Sequence, residues 1–100
     1  EVKLMNSLTD ILSGKTKEER DKLIAWANAR IIPGRSEYRY DCDGRLIRWS
    51  DYGLHTDYGW QIDHVMPTIL GGIDHGSNYR ARHWRGNSSA GGILGGLLRK

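Results

Sequence analysis

Cys42 is the only cysteine among 100 residues. An internal disulfide is therefore excluded, and so is a zinc centre built on four cysteines. These are two of the usual supports of a chain this short. What remains is one modest core. Hydrophobic residues make up 38% of the chain and Phe is absent, so four Trp and five Tyr must supply much of its bulk. The length predicts one compact unit, divided here into residues 1–34 as helical support and residues 35–100 as the working part.

The period of the apolar residues changes along the chain. Val2, Met5, Leu8, Ile11 and Leu12 recur at helical spacing and stop at Ser13-Gly14. Thr16, with Glu19 three residues on, is a capping box that opens a second helix. Leu23, Trp26, Ala27, Arg30 and Ile31 carry that helix to the Pro33-Gly34 break. Tyr38–Tyr40 and Arg45–Trp49 then read as two strands joined through Asp43-Gly44, a dipeptide suited to a hairpin turn. Asp41 and Asp43 faintly suggest a calcium loop, but the later ligand positions do not follow, and the turn is preferred. The final third predicts a strand from Trp60 to Val65, a glycine-containing loop from Met66 to Ser77, a returning strand from Tyr79 to Arg82 and a helix from about Trp84. Ile93, Leu94, Leu97 and Leu98 offer an apolar face for a last helix or a partner.

Charge is unevenly spread. The net charge is +3, and residues 78–100 hold Arg80, Arg82, Arg85, Arg99 and Lys100 with no acid. Asp41, Asp43, Asp51, Asp57, Asp63 and Asp74 come earlier. A basic segment beside a carboxylate-bearing one suits a site that holds a cation and a phosphate together. No apolar run is long enough to cross a membrane, and no membrane partner is expected. The chain opens with Glu1 and shows no signal peptide, which favours the cytoplasm and predicts either a longer product or a start at Met5.

The chemistry is concentrated in Gly59-Trp60-Gln61-Ile62-Asp63-His64-Val65, Pro67, Gly71-Gly72, Asn78-Tyr79-Arg80, His83-Trp84 and Asn87. This set resembles the HNH nuclease family, its three blocks falling on His64, Asn78 and Asn87, with spacings of 14 and 9 residues. The resemblance spans roughly residues 37–91. It implies an α+β fold in which a small β-β-α-metal motif, lacking a four-cysteine zinc cluster, is carried with N-terminal supporting helices and a β-hairpin. It also implies an endonuclease that hydrolyses DNA phosphodiester bonds with one divalent metal ion.

Each position makes physical sense in that role. A phosphodiester is anionic and repels hydroxide, so a nucleophile must be generated and the developing charge neutralised. An imidazole, with an ordinary pKa of ~6.5, takes a proton from water near neutrality, which casts His64 as general base. Asp63 and His64 point to opposite faces of a regular strand. A twist at the strand end would let Asp63 reach the metal while His64 faces the water. Asn78 is expected to pin the loop and organise His64. Asp63 and Asn87 form an oxygen-only pair that favours Mg²⁺ or Mn²⁺. His83, four residues before Asn87, is a packing or phosphate-contacting residue or else a third metal ligand; the latter would tilt the site towards Zn²⁺ or Ni²⁺. Arg80, Arg82 and Arg85 are the expected phosphate holders, giving salt-sensitive DNA binding.

Ala90 stands where many members of the family carry a basic residue, and the cysteine pairs many of them use for a structural zinc are missing. Two alternatives accompany the nuclease reading. One is a non-catalytic nucleic-acid-binding module on the same fold. The other is a toxin cargo whose basic face is covered by an acidic immunity protein partner.

Overall fold

A computed structural model describes residues 14–87. The helix expected over residues 2–12, Ala90 and the C-terminal leucines lie outside the described residues. Within them the protein is a small α+β fold: helix α1 (Lys17–Ala27), a three-stranded antiparallel sheet of β1 (Arg30–Ile31), β2 (Tyr38–Tyr40) and β3 (Leu46–Arg48), and an antiparallel hairpin of β4 (Trp60–His64) and β5 (Tyr79–His83). Among the described residues no helix is long and apolar enough to cross a membrane.

Helix α1 begins at Thr16, whose Oγ1 accepts from the Glu19 amide at 3.1 Å. Glu18 and Glu19 place negative charge in the first turn, where it complements the helix dipole. The helix ends earlier than its apolar spacing predicts, at Ala27, and Arg30–Ile31 is strand. Two distant groups end it. Asn28 donates through Nδ2 to the Tyr79 carbonyl at 2.9 Å. The Arg39 guanidinium from β2 donates to the carbonyls of Trp26, Ala27 and Ala29 at 3.1–3.3 Å. That places a strong donor among the carbonyls at and just past the helix C-terminus, where intrahelical partners run out. Arg30 and Ile31 then pair with Tyr40 and Arg39, so a boundary drawn at residue 34 runs between paired strands.

The β2–β3 hairpin closes over Asp41 and Gly44. Gly44 has φ +80°, a conformation that costs a side-chain-bearing residue energy. Asp41 is buried, and its Oδ1 accepts from the amides of Asp43 and Arg45 at 2.9 and 2.8 Å. Its Oδ2 accepts from the His83 amide at 2.8 Å, tying this turn to the end of β5. Trp49, expected at the end of the strand, opens a short 3₁₀ turn instead and packs edge-on against Trp26 at 5.5 Å.

Trp26, Ile47, Trp60, Tyr79, Ala25 and Ala81 form the core. Trp60 is fully buried and touches Trp26, Trp49 and Tyr52. Its indole N–H reaches the Arg48 carbonyl at 2.8 Å, so one side chain joins the two sheets. The hairpin β4–β5 turns Trp60 and Ile62 with Ala81 and Tyr79 towards this core. Gln61 and Asp63, with their cross-strand partners Arg82 and Arg80, take the other face.

Candidate functional site

The loop between β4 and β5 is organised by Asn78. It is buried, its Oδ1 accepts from the Met66 amide at 2.8 Å, and its Nδ2 donates to the carbonyls of Met66 and Ile73, each at 2.9 Å. Three bonds from one amide thus fix both ends of the loop. Gly71 and Gly72 are required there for separate reasons: Gly71 has φ +98°, and a Cβ at Gly72 would overlap the Met66 carbonyl. Replacing Asn78 by Asp keeps the shape but removes both donors and aims a carboxylate at two carbonyl oxygens. The expected loss is about 2–4 kcal/mol of stability, read as a lower urea midpoint. An unchanged midpoint would mean that the amide does not organise the loop.

His64 is the last residue of β4, and its side chain is 29% exposed. Its ring meets Tyr79 edge-on at 5.4 Å, and its Nε2 lies 3.3 Å from Asp74 Oδ1. Asp74 is held in turn by the Tyr79 hydroxyl, which donates at 2.7 Å, and faces Lys17 at 3.7 Å. The Tyr79 hydrogen bond, then that of His64, then the Lys17 charge hold the Asp74 carboxyl below its ordinary range. The same contact pushes the Tyr79 hydroxyl up. An ionised carboxylate only accepts, so it places the His64 proton on Nε2 and leaves the Nδ1 lone pair as the basic position. Asp74 entered the sequence reading only as one of several acids. Its 10-residue distance from His64 crosses the loop, and no local pattern marks the pair.

Asp63 faces the other way. Its Oδ2 accepts from Arg80 Nε at 2.7 Å and lies 3.6 Å from Arg82 Nη1. Asn87, in the helical residues 84–87 that follow β5, donates through Nδ2 to Gln61 Oε1 at 2.7 Å. Gln61 is two residues from Asp63 on the same face of β4. The structure thus brings Asp63, Asn87, Arg80 and Arg82 to one face and turns His64 to the opposite one. The twist expected at the end of β4 is absent because the ladder continues past it: His64 pairs with Tyr79, and the Val65 amide donates to the Asn78 carbonyl at 2.8 Å.

Asp63 and Asn87 each carry an oxygen of the type that a hard divalent cation takes as ligand. Both arginine contacts use Oδ2 of Asp63, and the Asn87 amide bonds Gln61 through its nitrogen, so an oxygen of each residue lies outside these bonds. The two guanidinium groups oppose a bare cation there and suit one that arrives with a phosphate.

His83 has a different fate. It is buried, its Nε2 lies 2.7 Å from the Asp57 carbonyl, and its Nδ1 accepts from the Arg85 amide at 3.1 Å. Both ring nitrogens are engaged on the face opposite Asp63, so the structure places it in packing and not beside the proposed ligands. Arg85 lies over the Trp84 ring and 3.6 Å from Asp57, apart from the Arg80–Arg82 pair. Arg82 also donates to Asp43 at 2.9 Å. The Asp41-Cys42-Asp43 turn places three metal-capable groups within 4.8 Å of one another. Its carboxylates are taken up by backbone amides and by Arg82 and Arg45, as a turn requires.

Comparison with protein-family models gives no match, and comparisons with curated proteins and with solved structures give none either.

Proposed function

We propose that this protein is a metal-dependent endonuclease that hydrolyses DNA phosphodiester bonds. The observation that carries the reading is the β4–β5 hairpin. One face carries Asp63, Arg80 and Arg82, with Asn87 bonded to the neighbouring Gln61, while His64 on the opposite face is partly exposed beside Asp74. Arg80 and Arg82 hold the anionic backbone. The phosphodiester must reach from the Asp63 face to the His64 face; His64 Nδ1 then takes a proton from water, the water oxygen bonds to phosphorus, and the bond to the 3′ oxygen breaks, that oxygen taking a proton from solvent to leave 5′-phosphate and 3′-hydroxyl ends. A divalent ion held by Asp63 and Asn87, Mg²⁺ or Mn²⁺ by donor type, would offset the charge that builds on the phosphoryl oxygens and the leaving oxygen.

One observation favours a second reading. Asp63 and His64 lie on opposite faces of a regular strand, which suits a module that binds nucleic acid through Arg80 and Arg82 without cutting it. A toxin cargo with an immunity partner is a biological setting for the first reading and shares its chemistry.

Incubation with supercoiled plasmid separates the two. The nuclease reading expects nicked and linear products with Mg²⁺ or Mn²⁺ and none with a chelator. Intact plasmid across Mg²⁺, Mn²⁺, Zn²⁺ and Ni²⁺, with salt-dependent retention of DNA, would select the binding module.

A further inference from the structure

The outward face of the three-stranded sheet has no role in the reading above and shares no residue with the Asp63 face. Its cross-strand pairs are Arg30 with Tyr40, Tyr40 with Leu46, and Tyr38 with Arg48. Ile47 and Arg39, one residue out of phase, take the core side, where Ile47 is fully buried and Arg39 caps α1. The alternation therefore leaves tyrosines and arginines together on the outside.

These residues are layered. The Arg30 guanidinium lies over Tyr40 at 4.8 Å, that of Arg48 over Tyr38 at 5.7 Å, and Tyr58 meets Tyr38 edge-on at 5.6 Å. Tyr38, Tyr40 and Tyr58, with Ile32, Arg35 and Leu46, line a cavity of about 360 Å³. A second cavity of about 510 Å³, along residues 31–39, adjoins the first at Ile32, Arg35 and Tyr38 and wraps the sheet edge to take in Ile31 and Arg39. The acid beside them is Glu37, 3.4 Å from Arg48, set against Arg30, Arg35 and Arg48. The face thus combines aromatic planes, guanidinium planes and an excess of positive charge along a groove.

We infer that this face binds single-stranded nucleic acid, with bases stacking on the Tyr38, Tyr40 and Tyr58 layer and phosphates meeting Arg30 and Arg35. Every base has a π-face, so stacking on aromatic rings and guanidinium planes tolerates any sequence. A duplex hides those faces within its own stack and offers such a groove only phosphates. The charge complementarity and the two adjoining cavities favour a strand over a small aromatic ligand.

Fluorescence anisotropy of a labelled twelve-nucleotide oligothymidylate, titrated with the protein in chelator, tests this independently of cleavage and of any metal. Tyr38→Ala and Tyr40→Ala should each weaken binding roughly 5- to 100-fold, whereas Tyr40→Phe should retain it. Arg30→Gln should lessen the dependence of log affinity on log salt by about 0.7. Binding of a duplex of equal length should change little in the tyrosine variants. Unchanged affinity of the Tyr38→Ala and Tyr40→Ala proteins for the oligonucleotide, or equal losses for duplex and single strand, would overturn the inference. If either alanine variant fails to fold, as read by circular dichroism, Arg30→Gln decides through its salt slope. A slope equal to that of the parent protein would overturn the inference.

Discussion

His64→Ala is expected to lower plasmid nicking by about 10²- to 10⁴-fold, the span by which a positioned general base accelerates proton transfer. The circular dichroism spectrum and the affinity for DNA should stay close to those of the parent protein. The side chain is partly exposed and its contacts are to Asp74 and Tyr79, so removing it opens no large cavity. Asp74→Asn is the informative companion. An amide in place of the carboxylate no longer dictates that Nε2 carries the proton, and the tautomer with a basic Nδ1 is partly lost. The companion should be slower than the parent but faster than His64→Ala. Full nicking activity in His64→Ala would remove the imidazole from the reaction. The pH dependence follows from Asp74. Because its carboxyl sits below the ordinary carboxylate range, it is ionised at neutral pH. Its contribution through Tyr79 is complete above the usual carboxylate pKa and is lost only as the pH falls through the depressed value. Acid should therefore unlock the His64 end of the hairpin only well below neutrality.

Trp60→Ala is expected to destabilise the fold by about 3–5 kcal/mol, the range for deleting a buried large aromatic. Against the ~5–15 kcal/mol that domains of this kind possess, such a loss removes much of the folded population. Trp60 is fully buried in contact with three other aromatic rings, and its N–H satisfies the Arg48 carbonyl between the two sheets. Trp60→Phe keeps most of the apolar contact but orphans that carbonyl, and should cost less. Urea unfolding followed by tryptophan fluorescence measures both. Similar midpoints for Trp60→Ala and the parent protein would show that the sheets are held together elsewhere.

The local elements of the fold were legible in the sequence because their causes lie within a few residues. Thr16 caps the helix that follows it. Asp43-Gly44 turns the β2–β3 hairpin. The run from Trp60 reads as a strand, and β4 forms there. Asn78, singled out as the residue that pins the loop, makes its bonds to Met66 and Ile73, within 12 residues of itself. Longer reach defeated the pattern. Helical spacing continued to Ile31, yet α1 stops at Ala27 because Arg39 and the Tyr79 carbonyl take up the groups at its end.

For the candidate site the division is the same. The resemblance of an ordered set of residues to a known family nominated Asp63, His64, Asn78 and Asn87, and donor hardness, imidazole basicity and charge, properties of side chains wherever they lie, made those roles and that of Arg80 and Arg82 physically reasonable. Which of them share a face was a tertiary decision. The bond from the Val65 amide to the Asn78 carbonyl keeps β4 regular and separates His64 from Asp63. The loop delivers Asp74 to His64, and the turn over Asp57 and the helical residues occupy both nitrogens of His83. Hydrogen bonds between groups distant in the chain exist only after the backbone has folded, and no spacing rule in a linear sequence encodes them.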